Sequence, residues 1–251
     1  MEQLSSDRQI IQLEKTESTN SYLKELLKSE QLAEGSVVVA DFQTAGRGQV
    51  GNSWFSSKGE NMLFSLLIYP TEIPANEQFI ISRIVSLAIK NTLDQFADDI
   101  RIKWPNDIYW KDKKIAGILI ENNLQGKVIE NSIIGIGLNL NQQIFPIELP
   151  NPVSLRQITA TEYDKNYMLD LLLKEFFLLY RSLQRGEKQI IEDEYMMDLY
   201  RVNGYYWYED ENGRFQAKID NVLSSGHLVL RTLDTNEERV YAFKEVTFVN
   251  E

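Results

Sequence analysis

The chain has 251 residues, with 26 Lys and Arg against 37 Asp and Glu, a net charge of −11, one His, no Cys and 43% hydrophobic side chains. That length suits one large domain or one domain with a small appendage, and the composition excludes disorder. The lack of cysteine excludes disulfides, thiol nucleophiles and Cys-ligated zinc. The acidic balance argues against DNA or RNA as the main partner, because no half of the chain is basic.

At the N-terminus, MEQLSSDRQIIQLEK alternates charge with apolar residues and lacks the apolar run of a signal peptide. The greasiest stretch, 168–183, holds Asp170, Lys174, Glu175 and Arg181, so a soluble, cytoplasmic protein is expected. Residues 8–14 alternate as a short strand would. Ser18, Thr19 and Asn20 form a capping cluster ahead of the helical pattern SYLKELLKSE. SVVVADF, residues 36–42, reads as a buried strand, residues 43–61 as a long polar loop, and MLFSLLIYP as a strand ended by Pro70. Ile80, Ile84, Leu87 and Ala88 set a helical period within 75–96. Apolar runs at 100–104, 115–120 and 133–140 predict further strands, and Pro146, Pro150 and Pro152 mark an irregular stretch. Helices are predicted over 166–184 and 188–200. From Arg201, short alternating runs separated by ENG, SSG and DTN predict a β-meander. The expected architecture is α+β. A mixed sheet with helices on one face spans residues 1–200, and a small SH3-like β-barrel spans 201–251.

GRGQVG, residues 46–51, matches the dinucleotide fingerprint G-x-G-x-x-G. That fingerprint must open into a helix whose N-terminus holds a pyrophosphate, and NSWFSSKGEN is a poor helix. What remains is a glycine-flanked Arg47 followed by Trp54. A cation and a large ring on such a loop suit closure over an anionic, aromatic ligand such as an adenylate; a solvated loop with Trp54 in the core is the plainer alternative. KWPND, residues 103–107, sets a lysine, an amide and a carboxylate around a rigid X-Pro step. Lys113 and Lys114 precede IAGILIE, where Gly117 interrupts an apolar strand, a sign of close approach by a ligand or backbone. GIGLN, residues 135–139, ends another strand with two glycines and an amide. Each of these alone reads equally as a turn, a charge pair or a strand end.

In combination, ESTN, QTAGRGQVGNSW, KWPNDIYWKDKKIAGILIE and GIGLNLN resemble the biotin–protein ligases, over about residues 17–140 and with a trailing small β domain that fits the family layout. The resemblance implies a catalytic domain like that of class II aminoacyl-tRNA synthetases. It implies that ATP, accompanied by Mg²⁺, activates biotin as biotinyl-5′-adenylate, and that the biotinyl group passes to a lysine of a biotin carboxyl carrier domain. The protein would act as a monomer or homodimer. Only 16 residues precede Glu17, too few for the winged helix-turn-helix of repressor members, so no operator DNA is expected.

By the same resemblance, Lys114, Arg47 and Lys103 would offset the charge of two reacting anions. Asp107 would orient the acceptor amine or take its proton, because a free lysine, with a pKa of about 10.4, is almost wholly protonated at neutral pH. Ser18, Thr19 and Gln43 would meet the ureido ring, whose one acceptor and two donors suit hydroxyl and amide partners. Gly46, Arg47 and Lys114 would also face biotin, with its rings and tail against Gly117, Leu119 and Gly135. Trp54 would stack near adenine, Asn106 and Asn139 would read it, and Gln49 and Asn52 would lie on the covering loop. No protein metal ligands are assigned. Gln49 and Asn52 stand where bacterial members often carry arginine; Asn52 resembles the GGNxW form of eukaryotic members and is expected to be tolerated, whereas Gln49 is expected to weaken retention of the adenylate unless another cation substitutes. A lipoate or octanoate ligase of the same fold is the chief rival, but a fatty tail has no need of Thr19 and Gln43. A non-catalytic binding module would have little use for the three cations. His227, in SSGHL, is expected in a solvated turn and not in a Ser-His-Asp triad.

Overall fold

The computed structural model describes residues 8–49 and 51–249; the expected absence of a leader bears partly on residues 1–7, and Val50 of GRGQVG also lies outside the described residues. The first two hundred residues form β1 (Ile10–Leu13), α1 (Thr19–Leu26), β2 (Val37–Ala40), β3 (Met62–Ile68), α2 (Phe79–Leu93), β4 (Ile100–Lys103), β5 (Asp107–Trp110), β6 (Lys113–Gln125), β7 (Val128–Leu138), α3 (Leu155–Thr159), α4 (Lys165–Gln184) and α5 (Lys188–Met197). The seven strands make one sheet in the order β1-β2-β3-β7-β6-β5-β4. It is mixed, because β1 runs parallel to β2 while the other neighbours are antiparallel.

Two elements escape the sequence pattern. β5 is only four residues long, and α3 starts in the proline-rich stretch on a capping box made by Ser154 and Gln157. The last predicted helix ends three residues early, since Leu199 bridges Ile102 in parallel.

The expectation that helices lie on one face needs correction. Val37, Leu66 and Ile134 belong to the main core with α2 and α4, whereas their neighbours Val38, Leu67 and Ile133 pack with Leu23 of α1 in a second cluster. Side chains alternate across a strand, so α1 covers the opposite face from α2 and α4. The reason is visible in β3, which is buried at all seven positions. A strand covered on both faces has no polar side.

α1 packs over β2, β3 and β7 and leaves that face of β6 and of the β7 end uncovered. A register shift then brings a lysine there. Tyr109 pairs with Lys114 but Ile108 pairs with Ala116, so the bulged strand sends both Ile115 and Ala116 into the core and returns Lys114 to the open face.

The remaining strands, β8 (Tyr206–Asp210), β9 (Gly213–Val222), β10 (Leu228–Thr232), β11 (Glu238–Tyr241) and β12 (Thr247–Phe248), form a five-stranded antiparallel sheet in the order β11-β10-β9-β8-β12. It shares the main core, to which Tyr208, Ala217, Leu228 and Leu230 contribute. Arg83 of α2, only 3% exposed, ties the two parts together. It pairs with Glu192 of α5 and donates to the carbonyls of Val222 and Leu223. The Trp104 indole donates to the Gly226 carbonyl at 2.8 Å. No helix among the described residues is long and apolar enough to cross a membrane.

Candidate active site

The open face is the floor of a cavity of about 410 Å³, roofed by the loop after β2 and walled by the second sheet. Every predicted site residue lines it except Gly46 and Asn139.

One end is built on the start of α1. Ser18 holds the N-cap position, φ −156°, yet makes no side-chain capping bond. Gln43 caps the helix in its place: its Oε1 accepts from the Thr19 amide at 2.7 Å and from the Thr19 hydroxyl at 3.2 Å. Ser65, fully buried on β3, lies 2.8 Å from the Thr19 hydroxyl and donates to Asn20 Oδ1 at 2.6 Å. Asn20 Nδ2 then donates to the Leu119 carbonyl at 3.2 Å and to Glu121 Oε2 at 2.8 Å. Arg47 donates to both Glu121 oxygens, at 3.3 and 2.7 Å. A continuous chain of hydrogen bonds thus runs from Gln43 to the loop arginine.

The roof is a tight hairpin. Gly48 donates to the Asn52 carbonyl and Trp54 to that of Gly46, both at 2.9 Å, with a bridge between Arg47 and Ser53. Gly46 is a packing residue: a Cβ there would come within 2.4 Å of the Trp54 carbonyl. The hairpin lays the Trp54 indole on Gly117 and Gly137, which pair across β6 and β7. Added Cβ atoms at these glycines would lie 2.9 and 2.4 Å from the ring, and one at Gly135 would lie 2.3 Å from Asn20 Oδ1. The glycine floor is therefore covered by Trp54 and Asn20 and not bare for a bicyclic ring, as the sequence suggests. Trp54 Nε1 and Gln49 Oε1 are buried here without a hydrogen-bond partner among the described residues. A buried donor and a buried acceptor left unpaired are costly, by about 1–3 kcal/mol each, and suit a ligand that supplies both.

The other end is charged. Lys114 Nζ lies 2.6 Å from Asp107 Oδ1 and 5.7 Å from the Trp54 ring. Asn139 stands behind it, 4% exposed, donating to the Val153 carbonyl at 3.2 Å and to that of Lys114 at 3.5 Å. Its Nδ2 braces the lysine's backbone, while its Oδ1 is buried without a hydrogen-bond partner among the described residues. Asn106 donates to the Ile118 carbonyl, so it ties the KWPND turn to β6. Lys103 Nζ donates to the Tyr109 hydroxyl at 3.1 Å and sits over the Tyr109 and Phe248 rings at 4.6 and 5.4 Å. Burial pushes the Lys103 pKa down; burial, reinforced by the Asp107 charge, pushes that of Tyr109 up to about 12.

Phe243, Lys244, Thr247 and Phe248, from the turn after β11 and from β12, also line the cavity and were not anticipated; nor were Asn20 and Glu121. Four cations, Arg47, Lys103, Lys114 and Lys244, face the cavity against one acidic side chain, Asp107, in a chain of net charge −11. Such a site selects anions. Among the described residues no three metal-ligating side chains cluster. One carboxylate fits a magnesium ion that arrives on phosphates, not one caged by the protein. His227 contacts Ser225 at 2.8 Å in a turn and is not among the cavity residues.

A glycine-roofed cavity on a mixed sheet, neutral at one end and cationic at the other, defines an enzyme-like pocket for a ligand with a polar head and an anionic tail. The chain belongs to the biotin/lipoate A/B protein ligase family, whose model matches residues 13–139. It is 36% identical over 160 residues to the bifunctional ligase/repressor BirA of Bacillus subtilis, covering 62% of this chain and 49% of that protein. It thus spans about half the length of this and other curated bacterial relatives that it matches. It is 30% identical to the biotin–[acetyl-CoA-carboxylase] ligase of Mycobacterium tuberculosis over 67% of this chain and 62% of that one. Among solved structures, the biotin protein ligase of Aquifex aeolicus in complex with biotin and ATP has a TM-score of 0.79 at 25% identity, covering 97% of this chain and 99% of that one.

Proposed function

We propose that the protein is an ATP-dependent biotin–protein ligase that forms biotinyl-5′-adenylate and transfers the biotinyl group to a lysine of a biotin carboxyl carrier domain. The observation that carries this is the polarity of the cavity, with Thr19 and Gln43 at its neutral end and Lys103 and Lys114 at its cationic end. A urea-headed carboxylate has that same polarity. In the first step a carboxylate oxygen attacks the α-phosphorus and pyrophosphate leaves; in the second, an acceptor amine attacks the acyl carbon and AMP leaves.

Lys114 and Lys103 spread the charge that builds up when one anion approaches another. Asp107 holds Lys114 at 2.6 Å and is the one acidic side chain lining the cavity among the described residues, so we assign it the orientation of the entering amine. Ser18, Thr19 and Gln43 take the ureido head, with Leu119 beside the tail, and Trp54, Gln49, Asn52 and Asn106 take the adenylate. Magnesium bound to ATP would lower the charge of the phosphates and enter beside Asp107. We assign residues 1–200 to the catalytic domain and 201–251 to a second domain, with its five strands as an SH3-like barrel. Consumption of ATP fits a cytoplasmic site of action.

The test is transfer. Incubation with ATP, Mg²⁺, biotin and a biotin carboxyl carrier domain is expected to add one biotinyl group to one lysine, read by mass spectrometry. A carrier domain that stays unmodified, or one that gains lipoyl or octanoyl when those acids are supplied, would overturn the assignment.

A further inference from the structure

Resting on the ligase reading, we propose that Lys244, carried by the second sheet, is a nucleotide-binding residue that brings a further cation to the loop of Gln49 and Asn52. Lys244 lies in the turn between β11 and β12 and lines the cavity with Phe243 and Thr247. Its ammonium lies 3.7 Å from where a Cβ on Gly51 would sit, so it reaches the same hairpin that carries Arg47, Gln49 and Asn52.

The backbone supports a ligand-facing role. Lys244 has φ +72°, a left-handed conformation that disfavours any side chain with a Cβ and favours glycine. The turn is held by Glu245, whose carboxylate accepts from the Ala242 amide at 2.7 Å, while the Glu245 amide donates to the Ala242 carbonyl at 3.2 Å. A lysine kept where glycine would be less strained points to a use for its side chain. Its ammonium lies 5.8 Å from the centre of the Phe243 ring, and that ring in turn packs edge-on against Trp104.

The placement is complementary to the other cations. Arg47, Lys103 and Lys114 all belong to the first sheet and its loop. Lys244 approaches from the opposite wall. A polyphosphate between floor and wall would meet positive charge on both sides, and its contact with Lys244 would fasten the hairpin to the second sheet. A lysine acts on phosphate as a point charge, so this contact needs no bidentate geometry.

The experiment compares wild type with K244G and K244R by ATP titration calorimetry, biotin-dependent ATP–pyrophosphate exchange and thermal melting. Glycine relieves the φ +72° conformation, so K244G is expected to melt no lower than wild type. We expect K244G to bind ATP about tenfold more weakly and to raise the KM for ATP by a similar factor. The KM for biotin and kcat should stay within about twofold, and K244R should restore ATP affinity. If wild type exchanges with biotin but K244G binds ATP as wild type does, or K244R is as weak as K244G, the proposal is wrong and the ligase reading stands. A K244G that melts lower and loses biotin and ATP together would show a residue that holds the fold, which also overturns the proposal. A wild type without biotin-dependent exchange overturns the ligase reading and this inference with it.

Discussion

The two ends of the cavity are built on different principles. At the α1 end, Thr19, Asn20 and Ser65 are uncharged, at most 3% exposed, and linked to one another and to Gln43 by hydrogen bonds of 2.6 to 3.2 Å. At the other end the polar groups are charged, and Lys114 sits in a partly exposed pair with Asp107, at side-chain exposures of 31% and 24%. Exposed ion pairs are worth about 0–1 kcal/mol, whereas removing one partner from a buried hydrogen bond costs about 1–3 kcal/mol. The neutral end is therefore preformed, whereas the charged end can exchange its partners at little cost.

Substitutions can break this contrast in graded steps. The largest effect is expected from Lys114→Ala, with a fall in biotin-dependent exchange of about 10²–10³-fold and a much smaller change in biotin affinity measured by calorimetry. Gly135→Val should follow, since its Cβ would lie 2.3 Å from Asn20 Oδ1. Overpacking there costs about 1–3 kcal/mol, so urea unfolding should shift by that much and biotin binding should weaken by at least about tenfold. Thr19→Val keeps the shape but removes the hydroxyl between Gln43 and Ser65. A loss of about tenfold in biotin affinity with an unchanged KM for ATP is expected. A parallel loss for both ligands would show that the two ends are not separate.

The smallest effect sharpens the contrast through pH. Burial lowers the Lys103 pKa in the folded protein, so below the ordinary lysine range the unfolded chain holds this proton more tightly. Stability then rises with pH between the folded and unfolded values. Lys103→Met removes that dependence. Its stability advantage over wild type should be greatest near neutral pH and shrink toward about pH 10, as read from urea melts at several pH values. A gap that widens with pH would contradict the direction of the shift.

Much of this was legible in the chain because two periodicities and three motifs are strong. The long helices follow from Ile80, Ile84 and Leu87 and from Leu169, Leu172 and Phe176, all buried as expected. The motifs bring Arg47, Lys103, Asp107 and Lys114 to one cavity. The covering of both sheet faces was misread, although the unbroken runs VVVA and MLFSLLI carry that signal. Asn20 stands in the ESTN run and was read only as part of a cap. Lys244 and Phe248 left no local signal, since a residue more than a hundred positions from the motifs reaches the cavity only through tertiary docking, here fastened by Arg83 and Trp104. Asn139 shows that a motif residue can also carry structure, since its Nδ2 holds the backbone of Lys114 and Val153.

The most direct test of the central claim, that the neutral end selects a urea-headed acid and the charged end activates it with ATP, is ATP–pyrophosphate exchange with Mg²⁺ in the presence of biotin, lipoate or octanoate at equal concentrations. We predict exchange with biotin and none above background with the other two. Exchange driven by lipoate or octanoate would contradict it, because Thr19 and Gln43 would then be reading no head group at all.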